Sequence, residues 1–138
     1  MAETESPLAE AVARVGDRWT LLIVEALLEG PSRFGELVTR IGIASNILSQ
    51  RMKRLEQEAL VIANAYSERP RRYEYELTEA GRELAGALRL LADWGARHSE
   101  EAEPIRHSAC GTPLEARWYC PTCAEQVGGG DATDMDFA

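Results

Sequence analysis

The segment "RWTLLIVEALLEG", residues 18–30, constrains the fold of this chain most strongly. Wound as a helix, it is apolar nearly all the way round. Such a helix has no face suited to water and must sit among other elements. Asp17 is placed to cap its start, and Gly30-Pro31 stops it. The core is therefore expected to form around this helix.

The neighbouring segments supply the surroundings. Leu8, Val12 and Val15 recur at helical spacing before Gly16 breaks the run. After Pro31, Ser32 is expected to cap a helix "RFGELVTRI", with Phe34, Leu37 and Ile41 at i, i+3 and i+7. A turn "GIAS" leads into "SNILSQRMKRLEQEAL", with Ser45 as the expected cap. There Ile47, Leu48, Met52 and Leu55 make a buried stripe, so Asn46, Ser49, Gln50, Lys53 and Arg54 must point elsewhere. The pattern then changes from helical spacing to alternation. Val61, Ala63 and Ala65 alternate with Ile62, Asn64 and Tyr66, and Tyr73, Tyr75 and Leu77 alternate with Arg72, Glu74 and Glu76. Two strands joined by "SERPR" make a hairpin with a basic tip. "EAGRELAGALRLLADWGARHSEE" then reads as one long helix, with Leu84, Leu88, Leu91 and Gly95 along one side and Leu90 and Trp94 beside them.

The expected fold class is mainly α with a small β-wing. The chain is expected to divide into 1–103, a domain of helices with a two-stranded wing, 104–127, a small cysteine-bearing appendage, and 128–138, a disordered acidic tail. No apolar run is long enough to span a bilayer, and "MAETESPLAEAV" lacks the basic-then-apolar order of a signal peptide. A cytoplasmic protein with no membrane partner is expected.

Charge is segregated along the chain. The formal net charge is -8, yet residues 44–73 hold six cations against Glu56, Glu58 and Glu68. Clustered sign matters more for phosphate binding than total charge. Two short helices around a Gly-containing turn, the second with polar side chains outward, is a helix-turn-helix pattern. Ser45, Asn46, Ser49 and Gln50 suit hydrogen bonding to base edges in the major groove. Arg51, Lys53 and Arg54 suit phosphates, which set register without fixing sequence. Arg69, Arg71 and Arg72 at the hairpin tip suit the adjacent backbone or minor groove.

The stretches "VGDRWTLLIVEALLEGPSRFGEL", "SNILSQRMKRLEQEALV" and "RRYEYELTEAGREL" resemble the HxlR-type transcriptional regulators, winged-helix relatives of the MarR group. The resemblance covers residues 6 to 95. It implies a homodimeric DNA-binding regulator, more often a repressor than an activator, pairing through its N-terminal and long C-terminal helices. It places the recognition helix at 45–58 and the wing at 67–73. An inverted-repeat operator in double-stranded DNA follows from two-fold pairing, and a small-molecule effector is expected near the long helix. Two departures stand out. Family members commonly carry Cys-Pro ten residues before G-D-R-W, where this chain has Ser6-Pro7, and a hydroxyl cannot do thiolate chemistry. Members often carry Ser or Thr where this chain has Ala44, so the cap falls to Ser45 or is lost. Within Gly16-Asp17-Arg18-Trp19, Asp17 reads as a cap and Trp19 as a core anchor, while Arg18 is open to either a carboxylate or DNA.

"IRHSACGTPLEARWYCPTCAEQV" places His107 and Cys110, then Cys120 and Cys123, each pair with two spacer residues. Two such chelating turns are the knuckles of a zinc ribbon, and four protein ligands leave no open position. A structural zinc ion is expected on His107, Cys110, Cys120 and Cys123, with His98 or an acidic residue as substitute for His107. A segment this small needs a cross-link to fold. The other readings are a protein-interaction module and a thiol- or zinc-based redox-sensing regulator. An enzyme is not expected, because the cysteines lack a pocket, an orienting group and an oxyanion site.

Overall fold

The computed structural model describes residues 6–127; the expected disordered tail, 128–138, lies outside them. The helices are α1 (Pro7–Val15), α2 (Arg18–Leu28), α3 (Phe34–Ile41), α4 (Ser45–Gln57), α5 (Glu79–Arg82) and α6 (Ala85–Arg97). The strands are β1 (Ser32–Arg33), β2 (Val61–Glu68), β3 (Arg71–Leu77), β4 (Trp118–Cys120) and β5 (Glu125–Val127). The described residues form two compact units, 10–88 and 6–9 with 89–127. Among them, no helix is long and apolar enough to cross a membrane.

The first unit is built around α2, as its all-round apolarity requires. Ile23 and Val24 are fully buried, and Ala26 and Leu27 nearly so. Leu37 of α3, Leu48, Met52 and Leu55 of α4, and Val61 and Leu77 of the hairpin complete the core, with Val15, Ile43 and Leu60. Leu84 and Leu88 pack against it from the far side of the hairpin in sequence. The sheet order is β1-β3-β2, antiparallel throughout.

Three local expectations need correcting. Ser32 does not cap α3: it is buried in β1 opposite Tyr75, and Arg33 holds the cap position without a side-chain bond. Ser45 does not cap α4 either. It is the first helical residue, Ala44 holds the cap position, and no side chain accepts there. Gly42 explains this framing, because its left-handed φ of 72° ends α3 and Ile43 is then drawn into the core. The long C-terminal helix is interrupted. α5 ends at Arg82, and Leu84 N–H bonds back three residues to Gly81 O at 3.2 Å before α6 begins. Gly81 sits so close to Leu60 that an added Cβ would lie 2.3 Å from its carbonyl oxygen, which pins α5 against the loop after α4. The expected β2 forms, exposed over most of its length. Val61 is its one buried residue, and the register shift between Ala65 and Ser67 leaves Tyr66 as an extra residue.

α4 ends in a Schellman arrangement. Leu60 N–H reaches Leu55 O at 2.9 Å and Ala59 N–H reaches Glu56 O at 3.0 Å, while the buried Leu60 and Leu55 side chains supply the apolar contact. Ala59 takes the left-handed position, φ 58°, where glycine is usual. A Cβ there costs roughly 1–2 kcal/mol, partly offset by the roughly 0.5–1 kcal/mol of extra unfolded-state freedom that glycine would bring. Ala59→Gly is therefore expected to stabilise the chain by about 0.5–1 kcal/mol. Urea unfolding checks this, and an unchanged or lower midpoint rejects it.

Candidate nucleic-acid interface

α4 separates its residues as the sequence pattern requires. Leu48, Met52 and Leu55 are buried and Ile47 half-buried, while Ser45, Asn46, Ser49, Gln50, Lys53 and Arg54 are exposed. The uncapped first turn leaves its N–H groups without a side-chain acceptor. The outward face is thus a row of hydroxyl and amide groups next to cations.

The three cations of α4 are not equivalent. Arg51 is half-buried and donates through Nε to Asp17 Oδ1 at 3.1 Å. The same carboxylate accepts from the N–H groups of Trp19 and Thr20, each at 3.1 Å, and from the Thr20 hydroxyl. Burial pushes the Asp17 carboxyl up, but the bonds from Thr20 and the Arg51 guanidinium outweigh it and hold it below the ordinary value. Arg54 donates to the carbonyl of Ala13. Nearby, Arg14 meets Glu58 at 2.6 Å. Lys53 makes no ion pair among the described residues. Arg51 and Arg54, expected to meet phosphate, are thus engaged first in tying α4 to the cap of α2 and to α1. Arg18 stacks over Trp19, 4.4 Å from its ring centroid.

The hairpin presents Arg69, Arg71 and Arg72, all exposed. It also brings in Arg33, which sequence reasoning missed. β1 pairs Arg33 with Glu74, and the guanidinium lies over the Tyr66 ring at 4.5 Å. Arg71 lies 5.9 Å from the centroid of Tyr73. Arg33, Arg71, Arg72, Tyr66, Tyr73 and Tyr75 line a cleft of about 460 Å³ beside the start of α3. Burial, helped by Glu56 and Tyr73, pushes the Tyr75 hydroxyl up. A two-residue strand has no periodicity to find, and the signal for Arg33 was its place in the stretch "GPSRFGEL" that carries the resemblance.

In the second unit the cysteine segment forms two turns. His107 Nδ1 lies 3.3 Å from Cys110 Sγ, and Cys123 N–H points at Cys120 Sγ at 3.5 Å. All three cysteines are free. The Thr112 hydroxyl and N–H lower the Cys110 thiol, and the N–H groups of Cys123 and Thr122 lower that of Cys120. Among the described residues no three of His, Cys, Asp and Glu stand together as a metal-holding group, so the structure brings the ligands together in pairs and not as a set of four. His98 is otherwise engaged: its ring stacks on Trp94 at 4.4 Å and its Nδ1 lies 2.8 Å from Trp94 O.

The model of the HxlR-like helix-turn-helix family matches residues 14–103. The uncharacterised HTH-type transcriptional regulator Rv3095 of Mycobacterium tuberculosis is 40% identical over 124 residues, 87% of this chain and 78% of its own length. The HTH-type transcriptional regulator YodB of Bacillus subtilis is 33% identical over 107 residues, 76% of this chain and 96% of its own. The reduced form of YodB superposes with a TM-score of 0.60 at 32% identity, over 72% of this chain and all of that one. PA1607, a proposed transcription factor, superposes with a TM-score of 0.76 at 27% identity, over 92% of each chain. The Rv3095 and PA1607 matches are too long to stop at residue 103, so both take in part of the cysteine segment.

The Asp17 node yields a stability prediction. Asp17→Ala removes a helix cap and the partner of Arg51, and is expected to cost about 1–2 kcal/mol at neutral pH. Because folding lowers the pKa of this carboxyl, its stabilisation is present above the ordinary value near 3.8 and is lost as pH falls through the lower folded value. Unfolding curves of the two proteins should differ by a constant amount above that range and converge below it. A difference independent of pH would reject the ion-pair part of the argument.

Proposed function

The chain belongs to the HxlR-like helix-turn-helix family of transcriptional regulators, and from that premise we propose that it is a homodimeric, cytoplasmic repressor that reads an inverted repeat in double-stranded DNA. The observation that carries this reading is α4, where a buried apolar stripe backs an exposed row of Ser45, Asn46, Ser49 and Gln50 with Lys53 alongside. Amide groups there suit bidentate pairing with adenine, and Lys53 suits phosphate. Arg33, Arg69, Arg71 and Arg72 of the hairpin unit would grip the adjoining backbone. Arg51 and Arg54 take a second part, fixing the tilt of α4 while adding positive potential.

Pairing through α1 and α6 is supported by their exposed apolar residues. Leu8 and Val12 on α1, and Leu91 and Trp94 on α6, are all more than half exposed. Two recognition helices about 34 Å apart would then face successive major grooves. The C-terminal segment is assigned as a zinc-ribbon-like appendage. A thiol-sensing variant of this reading is favoured by one feature: all three cysteines are free and lie in that segment, whereas the N-terminal position is Ser6.

Selection from random duplexes is expected to return an inverted repeat, with binding that weakens steeply as salt rises. Gln50→Ala is expected to relax preference at one base position of each half-site. Lys53→Ala is expected to lower affinity for all duplexes alike and to reduce the salt slope by about 1. Binding isotherms on matched and mismatched duplexes separate the two, and indistinguishable profiles would reject the assigned roles.

A further inference from the structure

We propose that the cleft beside the hairpin binds a small planar aromatic molecule carrying one anionic group, and that this ligand competes with DNA phosphate for Arg33 and Arg71. The site stands on the geometry of the hairpin; the competition rests on the reading of the chain as a DNA-binding regulator.

Three of the chain's four tyrosines, Tyr66, Tyr73 and Tyr75, face this cleft of about 460 Å³. The buried core of the unit holds no aromatic side chain, and Tyr66 and Tyr73 are 40% and 41% exposed, so packing does not account for these two rings. Tyr73 pairs with Ala65, which puts both on one face of the sheet. Strict alternation would send Tyr66 to the other face. The register shift between Ala65 and Ser67 re-aims it, and Tyr66 lines the cleft together with Tyr73. The bulge adds a ring to the cleft at the expense of one ladder position.

The guanidinium groups of Arg33, Arg71 and Arg72 line the same cleft against one carboxylate, that of Glu36. Glu36 lies 3.6 Å from Arg33 Nε with both side chains more than half exposed, and such a pair is weak. Arg71 and Arg72 have no ion-pair partner among the described residues. Arg33 lies over the Tyr66 ring, and a guanidinium stacked by its face keeps its N–H edge for an anion. The first turn of α3 forms one rim, with no side-chain acceptor at its cap position. Gly35 in that rim has nothing within 4 Å of where a Cβ would stand, so the cleft stays open there. A duplex offers phosphate to these cations but nothing to the rings, because its bases are stacked on one another. A free planar ring bearing a carboxylate or phosphate meets both at once, and the volume falls within the roughly 300–1,000 Å³ usual for such ligands.

Calorimetric titration of the full chain without DNA tests the site. Naphthoate and adenosine monophosphate carry the two kinds of anion; naphthamide lacks the charge, and inorganic phosphate lacks the ring. At least one of the first two should bind at one site per chain, about tenfold more tightly than naphthamide or inorganic phosphate. Binding of naphthoate alone assigns the cleft to an aromatic acid, and of adenosine monophosphate alone to a nucleotide. Arg33→Ala and Arg71→Ala should each weaken that binding about tenfold, and Tyr66→Ala roughly fivefold. Gly35→Leu should abolish it by filling the cleft. Tyr119→Ala, which removes the exposed tyrosine of the second unit, should leave it unchanged. Helical circular dichroism of each variant confirms folding. At constant ionic strength, saturating ligand should also lower affinity for duplex. Failure of both ringed anions to bind, equal binding of naphthamide, or binding untouched by Gly35→Leu overturns the site. Ligand binding that leaves duplex affinity unchanged overturns the competition, and ligand binding by a chain that holds no duplex upholds the site and rejects the regulator reading.

Discussion

The carboxylate of Asp17 is the point on which the geometry of the first unit turns. It caps α2 through two backbone N–H groups, takes the hydroxyl of Thr20, and holds Arg51 of α4. Thr20 is buried, so its hydroxyl needs this acceptor. One acidic group thereby fixes where the central helix begins and how the fourth helix lies against it. Arg54, bonded to the Ala13 carbonyl, adds a second tether on the same helix, and Arg14 with Glu58 a third at its end. Apolar packing alone lets a helix slide or roll on its neighbour at modest cost. Directional bonds at two points along α4 remove that freedom, and the proposed registration of this rod on base edges requires such fixity.

Those tethers change the meaning of the local positive charge. Counted from sequence, α4 carries three cations for an anionic polymer. In the fold, two of them already have partners on the protein side, and their charge is partly compensated by Asp17 and a carbonyl dipole. The hairpin side gains in return. Arg33 joins Arg71 and Arg72 around a cleft faced by three tyrosines, where two of the guanidinium groups lie over aromatic rings. Stacking in this way holds an arginine extended and reduces the entropy lost when it meets a phosphate. The positive surface proposed for DNA is therefore weighted more toward the wing than a residue count suggests.

What could be read from the sequence follows from range of interaction. α2, α4 and the hairpin were legible because each is specified by its own periodicity, and the Asp17 cap because it lies within three residues of the groups it satisfies. The errors arose where a distant partner decided the outcome. Ser32 has the chemistry of a cap but is claimed by Tyr75, more than forty residues away. The helix written as one piece over 79–101 breaks where Gly81 presses on Leu60, a contact no window of local sequence contains. Arg51 has the look of a phosphate ligand, and only the approach of α2 shows its other bond. Of the candidate site, the exposed polar row of α4 and the basic hairpin were visible, whereas Arg33 and the tethering of Arg51 and Arg54 were not.

The exposed apolar residues of α1 and α6 bear on the proposed pairing of two chains. α6 buries none of its residues fully, although Leu90, Leu91 and Trp94 lie within five positions of one another on it. Leu8 on α1 is 72% exposed. An isolated helix of thirteen residues is marginal in water, and an amphipathic one gains most of its stability from whatever covers its apolar side. Single exposed leucines are ordinary, but a tryptophan and two leucines on one short helix form a patch that water penalises continuously. A second copy of the same chain presents the same residues, so two-fold pairing covers both patches at once without calling on any other partner. The same symmetry gives the proposed reading of an inverted repeat, because α4 then occurs twice in opposite orientation. On this view the stability of α6 and the affinity for an operator are linked through one contact. A chain too dilute to pair would lose helical structure in α6 and half of its DNA contacts together.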